Sequence, residues 1–236
     1  MNINVSYYTA RGGREINQDS VSLLEDGLNT LALVADGLGG HQDGEVASKQ
    51  AVATLNRQLH SVRLSEEALV EAVCQANADI HALQTPGRKM RTTIAALWLS
   101  DGLAVAANVG DTRIYQFRDG NIVYQSMDHS VAQMAVLIGE LKPEDIRQSP
   151  DKNKLIRVLG EADTPKVDTQ VLSLKAGDRF LLCTDGFWGE VTENEMLTAM
   201  AKTSSAQEWL DQMRWNITAF EDESQDNHTA IALIIN

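Results

Sequence analysis

Short apolar stretches, alternating or continuous and bounded by turn residues, recur along the chain. They fall at 3–9, 20–25, 30–35, 93–99, 103–109, 112–117, 121–125, 167–172, 179–184 and 229–235, and predict about ten strands. Between the third and fourth the period changes: Ala47, Val52, Leu55 and Leu59, preceded by Val46, and then Leu69, Val73, Ala76 and Ile80 follow helical spacing. This predicts a helix pair over 44–84, broken at 61–65, with Ser65-Glu66-Glu67 starting the second helix. Residues 130–160 read as short helices in an irregular insertion, with Pro143 opening one and Pro150 closing it. A further pair, 193–201 and 205–219, precedes the last strand.

Strands in consecutive groups, with hairpin signals at Asp26-Gly27, Asp101-Gly102 and Asp119-Gly120, favour antiparallel sheets over a βαβ alternation. Two sheets flanked by helix pairs accommodate both kinds of segment. No repeat, Gly/Ser linker or long run of like charge divides the chain, so a single domain over 1–236 is expected.

Composition narrows the picture. With 43% hydrophobic and 22% charged residues and only 4 Pro in 236, the chain is a globular protein and not a disordered or fibrous one. Twenty basic against 33 acidic residues give a net charge of −13, which repels a polyphosphate backbone and argues against nucleic acid as a partner. No apolar run approaches the roughly 20 residues that cross a bilayer, and the start of the chain lacks a signal-peptide pattern. A soluble, cytoplasmic protein without a membrane partner is expected. Cys74 and Cys183 lie far apart in apolar stretches, as reduced core thiols do.

The acidic excess has a bland explanation, a solvated surface, so the placement of the aspartates decides. Of six Asp-Gly pairs, three join one apolar run directly to the next, as hairpin turns should, and Asp43-Gly44 leads into the first expected helix. Asp36-Gly37 and Asp185-Gly186 instead close the nearly continuous runs 31–35 and 180–184, and no partner strand follows. A carboxylate at the end of such a run emerges at the rim of the core, where it is costly unless a cation or donor meets it. Asp226, just before the last strand, is a third candidate. Asp111, at a tight junction between two strands, is a fourth, although a turn also explains it. Asp19 adjoins the strand beginning at Ser20. Carboxylates with backbone carbonyls and water are the ligand set for Mg²⁺ or Mn²⁺, whereas zinc prefers His or Cys.

Several ordered motifs share this pattern with a known family. They are Arg14-Glu15-Ile16-Asn17-Gln18-Asp19-Ser20, Val34-Ala35-Asp36-Gly37-Leu38-Gly39-Gly40-His41, Gly44-Glu45-Val46-Ala47-Ser48, Thr92-Thr93, and Val109-Gly110-Asp111-Thr112-Arg113. Asp128-His129-Ser130 and Leu159-Gly160 bracket the insertion, and Cys183-Thr184-Asp185-Gly186-Phe187-Trp188 and Asp226-Asn227-His228-Thr229 follow. Together, from Gly13 to Ile234, they resemble the type 2C metal-dependent protein serine/threonine phosphatases in their compact bacterial form.

The resemblance implies an α+β fold, a four-layer αββα sandwich of two antiparallel sheets flanked by helix pairs, with the insertion at about 130–160 as a flap. It implies two Mn²⁺ or Mg²⁺ ions bridged by Asp36. Asp185 and Asp226 would complete the first, the Gly37 carbonyl would hold the second, and Asp19 would contact the ions through water. Asp111 with Asp185 resembles the pair that holds a third, weaker ion. Arg14 matches the arginine that grips the substrate phosphate. The activity implied is hydrolysis of phosphoserine and phosphothreonine on proteins by a monomer that reverses a serine/threonine kinase. Phosphorylated proteins, the kinase or its substrates among them, are the implied partners. Two alternatives share the sandwich: a silent phosphoprotein-binding module, whose signature would be a lost aspartate, and a hydrolase of small phosphate metabolites.

Some positions depart from the family pattern. Leu38 stands where some members carry a histidine, so no general-acid role transfers to it. His41 is expected to support the glycine-rich turn and His129 to order the entrance of the flap, while His60, His81 and His228 read as surface or boundary residues. Trp98 and Trp188 read as packing, and Met127, Met134 and residues 136–138 as cover for the core.

Overall fold

A computed structural model describes residues 2–39, 43–100, 102–218 and 224–236. The expected strands are present almost residue for residue: β1 (Ile3–Ala10), β2 (Ser20–Glu25), β3 (Thr30–Ala35), β6 (Ile94–Ser100), β7 (Leu103–Val109), β8 (Arg113–Arg118), β9 (Asn121–Gln125), β10 (Asp168–Ser173), β11 (Arg179–Cys183) and β12 (His228–Ile235). Two short strands, β4 (Gly37–Leu38) and β5 (Arg91–Thr92), escaped the reading because two residues cannot display a period. The strands form two five-stranded antiparallel sheets, ordered β1-β12-β11-β8-β9 and β10-β7-β6-β3-β2, beside the β4-β5 pair.

The four-layer sandwich explains why the central strands are continuously apolar: both of their faces are covered. In β3, Ala32 and Val34 face the layer between the sheets, while Leu31, Leu33 and Ala35 face outward onto helices. In β11, Phe180 and Leu182 point inward and Leu181 and Cys183 outward. The inner layer joins Val34, Leu97 and Ala106 of one sheet to Ile114, Leu182 and Ile231 of the other.

Helices α1 (Asp43–Leu59) and α2 (Glu66–Ala82) cover the first outer face with Leu55, Leu59, Leu69 and Ile80. Ser65 caps α2, its hydroxyl accepting from the Ala68 N–H at 3.1 Å. Val46, expected on the apolar stripe, is exposed. Helices α5 (Glu193–Ala201) and α6 (Ala206–Thr218) cover the second face with Met196, Trp209 and Met213. A capping box starts α5: Thr192 accepts from the Glu195 N–H, and the Glu195 carboxylate accepts from the Thr192 N–H at 2.8 Å. At the β8–β9 hairpin both turn residues are left-handed, Asp119 at φ 51° and Gly120 at φ 75°, the conformation an Asp-Gly pair tolerates best. Asp101 of another expected turn lies outside the described residues.

Between β9 and β10 the chain forms α3 (Val131–Leu137) and a 3₁₀ turn over Pro143–Gln148, with Pro at its start. Its apolar residues do not all cover the core. Met127 before α3, Met134 and Leu137 within it and Ile138 just after it are exposed, Ile138 by 65%. No helix among the described residues is long and apolar enough to cross a membrane.

Candidate active site

Antiparallel pairing brings the singled-out aspartates to one end of the sandwich. Ser20 pairs with Ala35, so Asp19 before β2 and Asp36 after β3 leave their sheet side by side. Cys183 pairs with Ala230, so the segment leaving β11 with Asp185 meets the one entering β12 with Asp226. The tight β7–β8 connection delivers Asp111 to the same edge. Here a cleft of about 580 Å³ is lined by Arg14, Asp36, Gly37, Asp111, Asp185 and Asp226. Asp19 is buried beneath it, and its Oδ2 accepts from the Thr184 hydroxyl at 3.0 Å, which ties one sheet to the other.

Backbone close to backbone makes this convergence possible. A Cβ on Gly37 would stand 2.1 Å from the Gly44 carbonyl oxygen, and one on Gly186 would stand 2.1 Å from the Asn227 carbonyl oxygen. Only hydrogen fits at either place, which is why both aspartates are followed by glycine. Asp36 is held by its own backbone: its N–H donates to Thr93 Oγ1 at 2.9 Å, and its carbonyl accepts from the Thr93 N–H and the Thr92 hydroxyl. The Asp111 carbonyl accepts from the Trp188 indole N–H at 2.9 Å, so Trp188 positions as well as packs. His129 Nδ1 accepts from the Gly110 N–H at 3.1 Å, an ordering contact; burial lowers its pKa. Trp188 lies in α4 (Asp185–Trp188), a single turn too short to read from periodicity.

Asn227 clamps the loop before β2. Its amide donates to the carbonyls of Arg11 and Ile16 at 2.7 and 3.0 Å, and its oxygen accepts from the Gln18 N–H at 2.8 Å. Asn17 accepts from the Asp19 N–H and donates to Thr9, whose hydroxyl meets that of Thr229. Thr9 carries no sequence signal, because it is an ordinary strand residue until β1 is laid against β12. His228, read as a boundary residue, is buried. His41 lies outside the described residues.

The electrostatics are those of crowded like charges. Burial raises Asp19 to about 7 despite the hydrogen bond its Oδ2 receives from Thr184. Asp36 is pushed well above the carboxylate range by burial and then by Asp19 and Asp185, and Asp111 by burial and then by Asp185. Asp185 is raised by burial and by Asp226. Arg14 holds Asp226 in a two-pronged pair, Nε to Oδ1 at 3.0 Å and Nη2 to Oδ2 at 2.9 Å, and its own pKa rises because of that bond.

Oδ1 of Asp19 is buried without a hydrogen-bond partner. A buried acceptor left unmatched, among carboxylates that oppose one another's ionisation, fits a cation, and an all-oxygen donor set fits a hard one such as Mg²⁺ or Mn²⁺. Among the described residues no group of three or more His, Cys, Asp or Glu side chains is arranged to chelate an ion as it stands. The carboxylates share a cleft but do not form a finished cage, and Asp226 is committed to Arg14.

A two-sheet sandwich with aspartates gathered at one end and an arginine beside them has the architecture of a phosphatase. The sequence matches the protein phosphatase 2C family over residues 9–226, and the chain belongs to that family. It is 33% identical over 205 residues to the serine/threonine phosphatase stp of Listeria monocytogenes, covering 82% of this chain and 81% of that one. The serine/threonine phosphatase Stp1 of Staphylococcus aureus superposes with a TM-score of 0.90 at 27% identity, covering 100% of this chain and 96% of the other. The catalytic domain of the serine/threonine protein phosphatase PstP, solved in complex with two manganese ions, superposes with a TM-score of 0.83 at 27% identity, covering 99% of both chains.

Proposed function

We propose that the chain hydrolyses phosphoserine and phosphothreonine on proteins with two Mn²⁺ or Mg²⁺ ions. The observation that carries this reading is the meeting of Asp36, Asp111, Asp185 and Asp226 with Arg14 in one cleft. Asp36, Asp185 and Asp226 would hold the first ion, Asp36 and the Gly37 carbonyl the second, and Asp19 would act through water. Asp111 with Asp185 would serve a weaker third ion. When bound, such a pair of cations lowers the pKa of water, so that a nucleophile is available near neutral pH.

The chain's own residues bind and orient. The planar fork of Arg14 that spans the two oxygens of Asp226 matches two phosphate oxygens equally well, so exchanging one partner for the other keeps both hydrogen bonds. Thr92, Thr93 and Trp188 hold the main chain of Asp36 and Asp111, which keeps the carboxylates in place as charge changes at the phosphate. Protonation of the leaving alkoxide would fall to water or to an imidazole.

The partners of this reading are phosphorylated proteins, a serine/threonine kinase or its substrates among them, met by a cytoplasmic monomer. The net charge of −13 disfavours polyanions such as nucleic acid. Hydrolysis of p-nitrophenyl phosphate and of a phosphothreonine peptide, with EDTA and then with added Mn²⁺, tests it. Activity that returns with Mn²⁺ in the parent chain but not in Asp36→Ala or Asp185→Ala is expected. Equal rates in EDTA, or in either variant, would falsify it.

A further inference from the structure

A second, smaller cleft of about 260 Å³ adjoins the first and shares Arg14, Asn153, Asp185 and Asp226 with it. Among the described residues lining the two clefts, the only cationic side chains are Arg14 and Lys152. Arg14 is already engaged by Asp226. Lys152 belongs to the segment that follows the 3₁₀ turn, where its N–H donates to the Ser149 carbonyl at 3.3 Å. Its neighbour Lys154 is paired with Asp151 at 2.6 Å. Among the described residues the ammonium of Lys152 has no carboxylate within 4.0 Å. It reaches over the end of α4, with Nζ 3.9 Å from where a Cβ on Gly189 would stand. Its charge favours the ionised form of Asp185.

The charges around the cleft give this ammonium a task. Asp19, Asp36, Asp111, Asp185 and Asp226, with Glu15 and Glu190 also lining the clefts, would outweigh two doubly charged ions and one guanidinium, which leaves no surplus positive charge for a phosphate monoester that arrives as a dianion. The chain as a whole, at −13, repels that dianion further. We propose that Lys152 is a second phosphate-contacting cation, which draws the phosphorylated residue of a substrate into the cleft between the 149–154 segment and α4 and pairs with its phosphoryl oxygens. The inference rests on the phosphatase reading and adds a residue to its substrate handling. A flexible ammonium suits this role, because it can follow the phosphate from the mouth of the cleft inward, whereas Arg14 offers a fixed fork.

The test compares the full-length chain with Lys152→Met, Lys152→Arg and Lys152→Glu, all loaded with Mn²⁺. Inorganic phosphate serves as a competitive probe, and p-nitrophenyl phosphate and a phosphothreonine peptide as substrates. Lys152→Met should raise the inhibition constant for phosphate and the KM for both substrates about fivefold, the size of one exposed charge pair. Its kcat should stay within about twofold, and calorimetric Mn²⁺ binding should be unchanged. Lys152→Glu should raise KM further, Lys152→Arg should restore it, and the salt dependence of kcat/KM should flatten in Lys152→Met. Phosphate inhibition and KM unchanged in Lys152→Met, or a failure of Lys152→Arg to restore them, would overturn the proposal. A parent chain that shows no Mn²⁺-dependent hydrolysis would overturn the phosphatase reading instead, so the two failures are distinguishable.

Discussion

Asp19 shows how one buried side chain reports on the whole site. Its carboxyl is raised to about 7 by burial, against an ordinary value of 3.8. A folded-state pKa above the unfolded one means that the native state holds the proton more tightly. The stabilisation is therefore complete below about pH 4 and is lost as pH rises through about 7. In EDTA, the melting temperature should fall between pH 5 and pH 8, and Asp19→Asn, which cannot ionise, should flatten that slope. A slope unchanged in the variant would remove Asp19 as its source. At Asp36 the expected effect is on rate: Asp36→Asn should lower kcat/KM with Mn²⁺ by about three orders of magnitude, since a bridging ligand is asked for several kcal/mol of transition-state stabilisation. A loss of less than about tenfold would argue against the bridging role.

Elements fail in ways that separate the site from its scaffold. Gly37→Ala places a methyl group 2.1 Å from the Gly44 carbonyl oxygen and forces β4 away from the start of α1. Activity should drop at least about tenfold with the melting temperature lowered, because displacing a catalytic group by about 1 Å is costly. Thr192→Ala is the contrasting case. It removes the capping box of α5, whose residues line neither cleft, and should cost about 1 kcal/mol, or about 2–4 °C, while leaving kcat and KM as they were. A change in kcat with that variant would mean that α5 is coupled to the site.

On the scale of the whole molecule, the layer between the sheets is decisive. Leu97, Ile114, Leu182 and Ile231 belong to different sheets yet share one buried cluster, so neither sheet keeps its core without the other. We expect thermal unfolding in a single cooperative transition, with tryptophan fluorescence and far-ultraviolet circular dichroism coincident. Mn²⁺ should raise its midpoint more at pH 8 than at pH 5, since protons compete for the same carboxylates. Two resolved transitions would show that the sheets fold independently.

Much of this was legible in the chain alone. Runs such as 30–35 and 179–184 announce strands covered on both faces, and Ser65 marks a helix start through a local hydrogen bond. Asp36 and Asp185 stand out because their runs end without a hairpin partner. Features that need length or a distant neighbour were not legible. The two-residue strands β4 and β5 and the single turn of α4 are shorter than any period. Val46, Met134 and Ile138 look like core residues but are exposed, because the pattern does not say which side of a segment will find a partner. Buried His228 and the anchoring role of Thr9 depend on residues more than two hundred positions away.

By itself, then, the order of residues determined the elements, the antiparallel hairpins and the set of oxygen donors, since propensity, capping and turn chemistry act within a few residues. Only the tertiary structure decided that Asp19, Asp36, Asp111, Asp185 and Asp226 share one edge, that Arg14 holds Asp226, and that Lys152 stands beside them. Strand register and the stacking of two sheets set those distances, and both are settled by packing between segments far apart in the chain.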